Sequence, residues 1–199
     1  YGPTRLFTGI VTNMMKKMPL GTLRIHHDTT SINVTGDYDP DFHTRMIRLV
    51  RGHSKDHRND LKQFIISLAT TQHGIPIFME PLSGNISDKK SLLQSIQAVR
   101  ANLVTDEIIY HMADSAFYTK HNISTLGQHC FWISHVPETI NEAKNLCNQD
   151  VIWTPCTDTR YTYFEHSSSY GNIDQTWIMF HSIEQQKKRE EKFAKKVKL

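Results

Sequence analysis

From Ile108 to Ala113 the chain is mostly apolar with no alternation, and the run ends at Asp114. An unalternating apolar run is the pattern of a strand covered on both faces, the usual state of a parallel strand in an α/β sheet. Ser115 to Leu126 reads as a turn and a short helix, which puts Asp114 at the carboxyl end of an interior strand. Open α/β sheets hold their ligands at that edge. A second constraint lies upstream. Leu23 to Thr35 is rich in β-branched residues (Ile25, Thr29, Thr30, Ile32, Val34, Thr35), yet Asp28, a residue type depleted in strands, stands in its middle. Each acid has two readings. Asp28 is either a solvated residue of an edge strand, bonded to the hydroxyl of Thr29 or Thr30, or half of a pair that handles a metal or a proton. Asp114 is either the N-cap of the following helix or the other half. A pair requires the two strands to be neighbours, with both carboxylates facing one cleft.

The segments between them supply the rest of a sheet. Gln63 to Thr71 and Ile75 to Leu82 are β-rich and joined by Gln72-His73-Gly74, a hairpin signal. Ser87 is placed to N-cap a helix in which Leu92, Ile96, Val99 and Leu103 recur at helical spacing and form a core-facing stripe. Met46 to Val50 reads as a short strand pairing back. Cys130 to Val136 reads as a later strand, followed by a helix over Glu138 to Leu146 with Pro137 in its first turn. Beyond Asp150 come three β runs, Val151 to Trp153, Arg160 to Glu165 and Ile173 to His181, with Ser167 to Asn172 as a connection. A charged helix from Glu184 follows, with Phe193 and Val197 as a thin apolar stripe. The predicted fold is α/β: a ribonuclease-H-like mixed sheet with flanking helices and an inserted β-rich subdomain. Its predicted divisions are 1–21, left uncommitted as the end of an upstream region; 22–149, the first part of the core; 150–182, the β-rich insertion; and 183–199, the basic helix of a chain expected to be truncated.

A chain of 199 residues is long enough for one domain with a real core. No apolar run approaches the roughly 18 residues a membrane span needs, and no signal-peptide pattern opens the chain, so no membrane partner and a cytoplasmic location are expected. Cys130, Cys147 and Cys156 form no close pair, which argues for small, reduced, buried side chains over a zinc ribbon or a disulfide framework. Net charge is +3, but seven bases against three acids lie from Glu184 onward. Lys187, Lys188 and Arg189 among them suit nucleic acid, or a solvated helix face. Asp37, Asp39 and Asp41 alternate as in a calcium loop, but Phe42 and Arg48 stand where that loop needs Gly and a bidentate Glu. Gly52 to Asp60 has almost nothing to bury. Its Lys55, His57 and Arg58 read as phosphate contacts, and the His53 and His57 pair, with no Cys partners and no HExxH pattern, does not read as a metal site.

His27-Asp-Thr-Thr, Gly52-His-Ser-Lys-Asp-His-Arg58, Asp60-Leu-Lys-Gln63, Gly84-Asn-Ile-Ser-Asp-Lys89, Ala113-Asp-Ser-Ala116 and Val136-Pro-Glu-Thr-Ile140, in that order, resemble the catalytic domain of DDE transposases from bacterial and archaeal insertion sequences. The resemblance runs from about Leu23 to the last helix. It implies a ribonuclease-H-like fold with a β insertion before a third acid, and cutting and joining of transposon-end DNA, the endonuclease and strand-transfer steps of DNA transposition. It further implies two divalent ions, Mg²⁺ or Mn²⁺, with Asp28 and Asp114 as catalytic metal ligands and Asp28 bridging both ions. Implied partners are double-stranded DNA, as transposon ends and target, and a second copy in a homodimeric transposition complex, with a nucleoid-associated location. Lys55, His57 and Arg58 are expected near the acids, and Lys187, Lys188 and Arg189 as further DNA contacts. The chain departs from the pattern in two places. The third acid of these enzymes lies in Tyr-x2-Arg-x3-Glu-x6-Lys, and no Tyr here has that sequel. The Glu is expected beyond Leu199, with Glu165 and Glu184 as weak stand-ins. Asn59 also stands where a Pro is usual. An alternative stays open: a truncated, non-catalytic transposase remnant that binds at most DNA or full-length transposase.

Overall fold

The computed structural model describes residues 2–15, 17, 23–36, 47–52, 57–103, 108–128 and 130–197. They fall into two compact units, Tyr1–His135 and Val136–Leu199.

In the first unit the β-branched runs become β1 (Leu23–Val34), β2 (Lys62–Thr71), β3 (Pro76–Ser83), β4 (Ile109–Ala113) and β5 (Phe131–Ser134), one sheet in the order β3-β2-β1-β4-β5. β1, β2 and β3 form an antiparallel meander, and β4 and β5 add on parallel to β1. Three meandering strands extended by two parallel ones is the ribonuclease-H-like arrangement. Parallel strands need a crossover, and α2 (Asp88–Asn102) supplies it between β3 and β4. Ser87 is the N-cap by position, although its side chain makes no capping bond; Asp88 in the first turn complements the helix dipole.

Leu92, Leu93, Ile96 and Val99 of α2 are buried. α1 (Pro3–Met15), in the segment assigned from sequence to an upstream region, packs on β3 and brings Val11 into one cluster with Ile25, Ala69, Ile77, Phe78 and Val99. α1 and α2 therefore cover the same face of the sheet. That face is Ile25, His27 and Thr29 on β1 and Gln63, Ile65, Ser67, Ala69 and Thr71 on β2, all buried. The alternate residues Arg24, His26, Asp28 and Thr30 are exposed. α3 (Lys120–Leu126) lies beside α2, with Asn122 Nδ2 donating to Lys89 O at 2.8 Å.

Several elements differ from the sequence expectation, each for a local reason. In β4 only His111 is buried; Tyr110 and Met112 lie on the face that carries Asp28, which is open to solvent. Val50 makes an isolated bridge to Gln63 where a strand was expected; the neighbouring Met46 lies outside the described residues, as do Asp37, Asp39 and Asp41. Of the cysteines only Cys130 is buried, and Cys147 is exposed.

The second unit comprises α4 (Asn141–Cys147), β6 (Thr154–Pro155), β7 (Tyr161–Tyr170), β8 (Ile173–Ser182) and α5 (Ile183–Val197), with β6-β7-β8 an antiparallel sheet. α4 begins later than expected, after a turn in which Ile140 N donates to Pro137 O at 3.1 Å. β7 runs on through Ser167 to Tyr170, and only Gly171-Asn172 turns. Both turn residues have positive φ, 64° and 62°, the twist that matches a two-residue hairpin. Glu142 of α4 is tied to β7: it accepts from Ser168 Oγ at 3.0 Å and lies 3.0 Å from His166 Nε2. Among the described residues no helix is long and apolar enough to cross a membrane.

Candidate active site

β1 and β4 pair in parallel from Leu23↔Ile109 to His27↔Ala113. The next residues are Asp28 and Asp114, so each acid stands one step past the last paired residues of neighbouring strands. Neighbours in register project to one face of a sheet. Here it is the open face, and both acids are exposed. β4 ends at this point, while β1 continues, paired with β2 as Asp28↔Leu68.

Each carboxylate is oriented by a local hydrogen bond. Asp28 Oδ1 accepts from Thr29 N at 2.7 Å. Asp114 Oδ1 accepts from Ala116 N at 2.9 Å, closing the turn that ends β4, and its backbone oxygen accepts from Ser134 Oγ of β5 at 2.8 Å. The helix that follows is capped by Thr119, whose Oγ1 accepts from Asn122 N at 3.2 Å, so the N-cap reading of Asp114 does not hold.

The reverse side of the same strands carries polar groups that the sequence reading passed over. His27 Nε2 lies 2.9 Å from His111 Nδ1, and His27 Nδ1 lies 2.8 Å from Ser95 Oγ of α2. Each imidazole has one proton when neutral, and either tautomer of the pair satisfies both bonds. Burial holds both rings neutral. It lowers the His27 pKa to about 3, aided by the neighbouring His111 and His26, and the His111 pKa to about 4, aided by Arg100. Thr29 Oγ1 donates to Asp88 Oδ1 at 2.8 Å, fixing the first turn of α2 against β1. The available signal was phase. His27 and Thr29 alternate with Asp28 and share the parity of Ile25, which assigns them to its face, but as polar residues they do not stand out in a hydrophobic pattern.

The polar loop is anchored elsewhere. Gly52 crosses Gly84 so closely that a Cβ on Gly52 falls 2.0 Å from Gly84 O, and one on Gly84 falls 2.0 Å from Gln63 O. Gln63 Nε2 donates to Gly84 O at 2.8 Å. The motifs that begin at Gly52 and Gly84, 32 residues apart, thus meet over Gln63 at a crossing that admits only glycine at positions 52 and 84. Lys55 lies outside the described residues. His57 has a left-handed φ of 58°, and Arg58 grips Asp60 through two hydrogen bonds of 2.8 Å, both side chains exposed. The hydrogen-bonded guanidinium holds the Asp60 carboxyl down at about 2. Lys62 pairs with Val34, six positions beyond Asp28 on β1, a rise of about 20 Å along the strand. The structure makes the strands that lead into the two acids neighbours and places His57 and Arg58 in the segment just before Lys62, at the far end of β1.

In the second unit Glu165 is exposed on β7 opposite Ile178, and Glu184, in the first turn of α5, accepts from Lys188 Nζ at 2.6 Å. Lys187, Lys188 and Arg189 are exposed. Among the described residues no group of three or more His, Cys, Asp or Glu is placed to hold a metal ion. The donor set of the acid pair, two solvent-facing carboxylates, nonetheless fits a hard divalent cation of the Mg²⁺ or Mn²⁺ type, which keeps several of its waters.

No family model matches the chain, and no curated protein matches it. Among solved structures the chain is similar to the Mos1 mariner paired end complex with Mn, at 13% identity and a TM-score of 0.36 over 67% of this chain and 41% of that one. It is similar to the Mos1 transposase paired-end complex with left transposon end at 14% identity and a TM-score of 0.34, over 67% and 41% of the two chains. For the Mos1 strand transfer complex the values are 13% and 0.34, over 72% and 46%. The chain spans less than half the length of each of these proteins.

Proposed function

We propose that the first unit is the core of a DDE-type transposase that cleaves DNA at insertion-sequence ends and joins it to a target, with Asp28 and Asp114 as its first two acids. The observation that carries this reading is their position: neighbours on the open face of the sheet, at the step where β4 ends. Mg²⁺ or Mn²⁺ ions, when bound there as a pair, supply activation of the attacking hydroxyl and stabilisation of the leaving oxygen. The chain's own residues do the positioning. Asp28 is paired with Leu68 of β2, one step past the last β1–β4 pair, and Asp114 is held by its turn and by Ser134, so neither backbone swings when a phosphodiester arrives.

The third acid is assigned to a Glu beyond Leu199, ahead of the stand-ins Glu165 and Glu184. Lys55, His57 and Arg58 act as phosphate contacts. The Val34–Lys62 pair, where the chain enters β2 after Arg58, is about 20 Å along β1 from Asp28, within one turn of B-DNA at about 34 Å, so His57 and Arg58 meet the duplex several base pairs from the cut. Lys187, Lys188 and Arg189 add sequence-independent, salt-sensitive attraction. Two copies act on paired DNA ends. A second reading, a non-catalytic remnant that binds DNA or full-length transposase, draws on the fact that only two acids meet among the described residues.

The test is a cleavage assay with the protein of the full reading frame, DNA carrying the element's terminal repeats, and Mn²⁺. Metal-dependent cleavage that disappears in Asp28→Asn and in Asp114→Asn is expected. Cleavage that survives either substitution overturns the reading. Cleavage by the 199-residue chain that is lost in Glu165→Gln or Glu184→Gln moves the third acid into this chain.

A further inference from the structure

We propose that His27 and His111 are positioning residues whose mutual hydrogen bond sets the spacing between Asp28 and Asp114. The inference rests on the metal-holding role proposed for those acids. It begins from where the β1–β4 pairing stops. His27↔Ala113 is the last pair, and β4 ends there, so nothing in the ladder ahead of the acids fixes one carboxylate against the other. Their spacing is inherited from the alignment of the strands behind them.

The bond between the imidazoles is suited to fixing that alignment. It does not join opposite residues: His27 pairs with Ala113, and His111 pairs with Ile25, so the 2.9 Å contact runs diagonally across two residue steps. A rung between opposite residues barely changes length when two strands slide by a small amount, whereas a diagonal changes in proportion to the slide. The pair is therefore a brace. Its direction is fixed from α2, because the second nitrogen of His27 is 2.8 Å from Ser95 Oγ. Only 3% of His27 and 2% of His111 is exposed, and the rings are 5.1 Å apart at 43°, so neither has room to choose another partner.

Packing does not account for two imidazoles at this place. Two leucines fill a similar volume and bury more apolar surface, the Ser95 hydroxyl they leave can bond back to a carbonyl of its own helix, and replacing both partners of a buried bond by apolar groups is close to neutral for stability. Leucines lack direction, which is what the brace supplies. Groups that orient metal-holding residues from behind alter metal affinity by about 10- to 100-fold when removed.

The experiment is titration of the 199-residue chain with Mn²⁺, followed by loss of the electron paramagnetic resonance signal of the free aquo ion, alongside circular dichroism and thermal unfolding. The wild type is expected to bind Mn²⁺, and Asp28→Asn to abolish binding. The double variant His27→Leu/His111→Leu is expected to fold, to melt near the wild-type temperature, and to bind Mn²⁺ about tenfold more weakly. His111→Asn, which returns a polar atom close to the Nδ1 position, is expected to restore most of the affinity. A double variant that fails to fold, or that binds Mn²⁺ as the wild type does, overturns the inference while leaving the acids in place. A wild type that binds no Mn²⁺ overturns the reading of the acids, and this inference with it.

Discussion

The two faces of the five-stranded sheet are made from alternate residues of the same strands, yet polarity does not separate them. The covered face holds His27, Thr29, Gln63, Ser67, Thr71 and His111 among Ile25, Ile65 and Ala69. The open face holds Phe64, Ile66, Leu68, Tyr110 and Met112, half-buried, and Phe131 and Ile133, exposed, with Arg24, His26 and Thr30 beside the two acids. Burying a polar group is costly unless it is hydrogen-bonded, and on the covered face most bonds are made, His27 to His111 and Ser95, Thr29 to Asp88, Gln63 Nε2 to Gly84, while Ser67 Oγ is buried with no hydrogen-bond partner among the described residues. Hydrogen bonds have direction, so the covered face fixes register as well as stability. The open face contributes less to stability and leaves Asp28 and Asp114 accessible.

The largest effect expected from this contrast is on stability. Ile25→Ala, at a fully buried position, should cost about 2–5 kcal/mol. Leu68→Ala, on the open face beside Asp28, should cost less than about half of that. Urea unfolding of the two variants measures the difference, and equal losses would erase the distinction between the faces.

A smaller effect separates bonded polar groups from apolar filler. His111→Leu alone leaves the His27 nitrogen facing a methyl group and should cost about 1–3 kcal/mol, most of it regained in the His27→Leu/His111→Leu double variant. The same pair gives a pH dependence whose sign is fixed. In the unfolded chain both imidazoles protonate near 6.5, whereas in the fold they stay neutral down to about 4 for His111 and about 3 for His27. The unfolded state therefore binds more protons in that window. Stability is fully present above about 6.5 and declines as pH falls toward 4 and then 3. Unfolding midpoints measured from pH 7 to pH 4 should drop in the wild type and drop less in the double variant; parallel curves would contradict the assignment.

The smallest effect is on the surface. Arg58 and Asp60 are both exposed, so Arg58→Ala should leave the unfolding midpoint where it is. In DNA binding it should reduce the salt slope by about one phosphate contact. An unchanged slope would return the loop to ordinary surface.

What the sequence made legible follows the range of the interaction. β1, the β2–β3 hairpin, α2 and β4 rest on periodicity and turn residues within a few positions, and those elements were readable. That the strands leading into Asp28 and Asp114 are neighbours was readable because each acid interrupts or ends a strand pattern that needs a neighbour. α1 was not, since its sparse pattern shows no partner until β3 is folded beneath Val11. The serine run of β7 read as a loop because its strand state comes from cross-strand pairing such as Ser168↔Gln175. The openness of the acid-bearing face was hidden for a similar reason: an apolar run such as Ile109 to Met112 looks the same whether or not a second layer covers it. The His27–His111 bond joins residues 84 apart in sequence, and no local signal announces it.

The most direct test of the central claim is diffraction from crystals of the 199-residue chain soaked in Mn²⁺, with anomalous differences collected at the manganese edge. The account predicts an anomalous peak within ligand distance of both the Asp28 and Asp114 carboxylates, absent in Asp114→Asn. A peak held instead by Glu165 or Glu184, or a pair of carboxylates that binds no ion while Mn²⁺ occupies other sites, would contradict it.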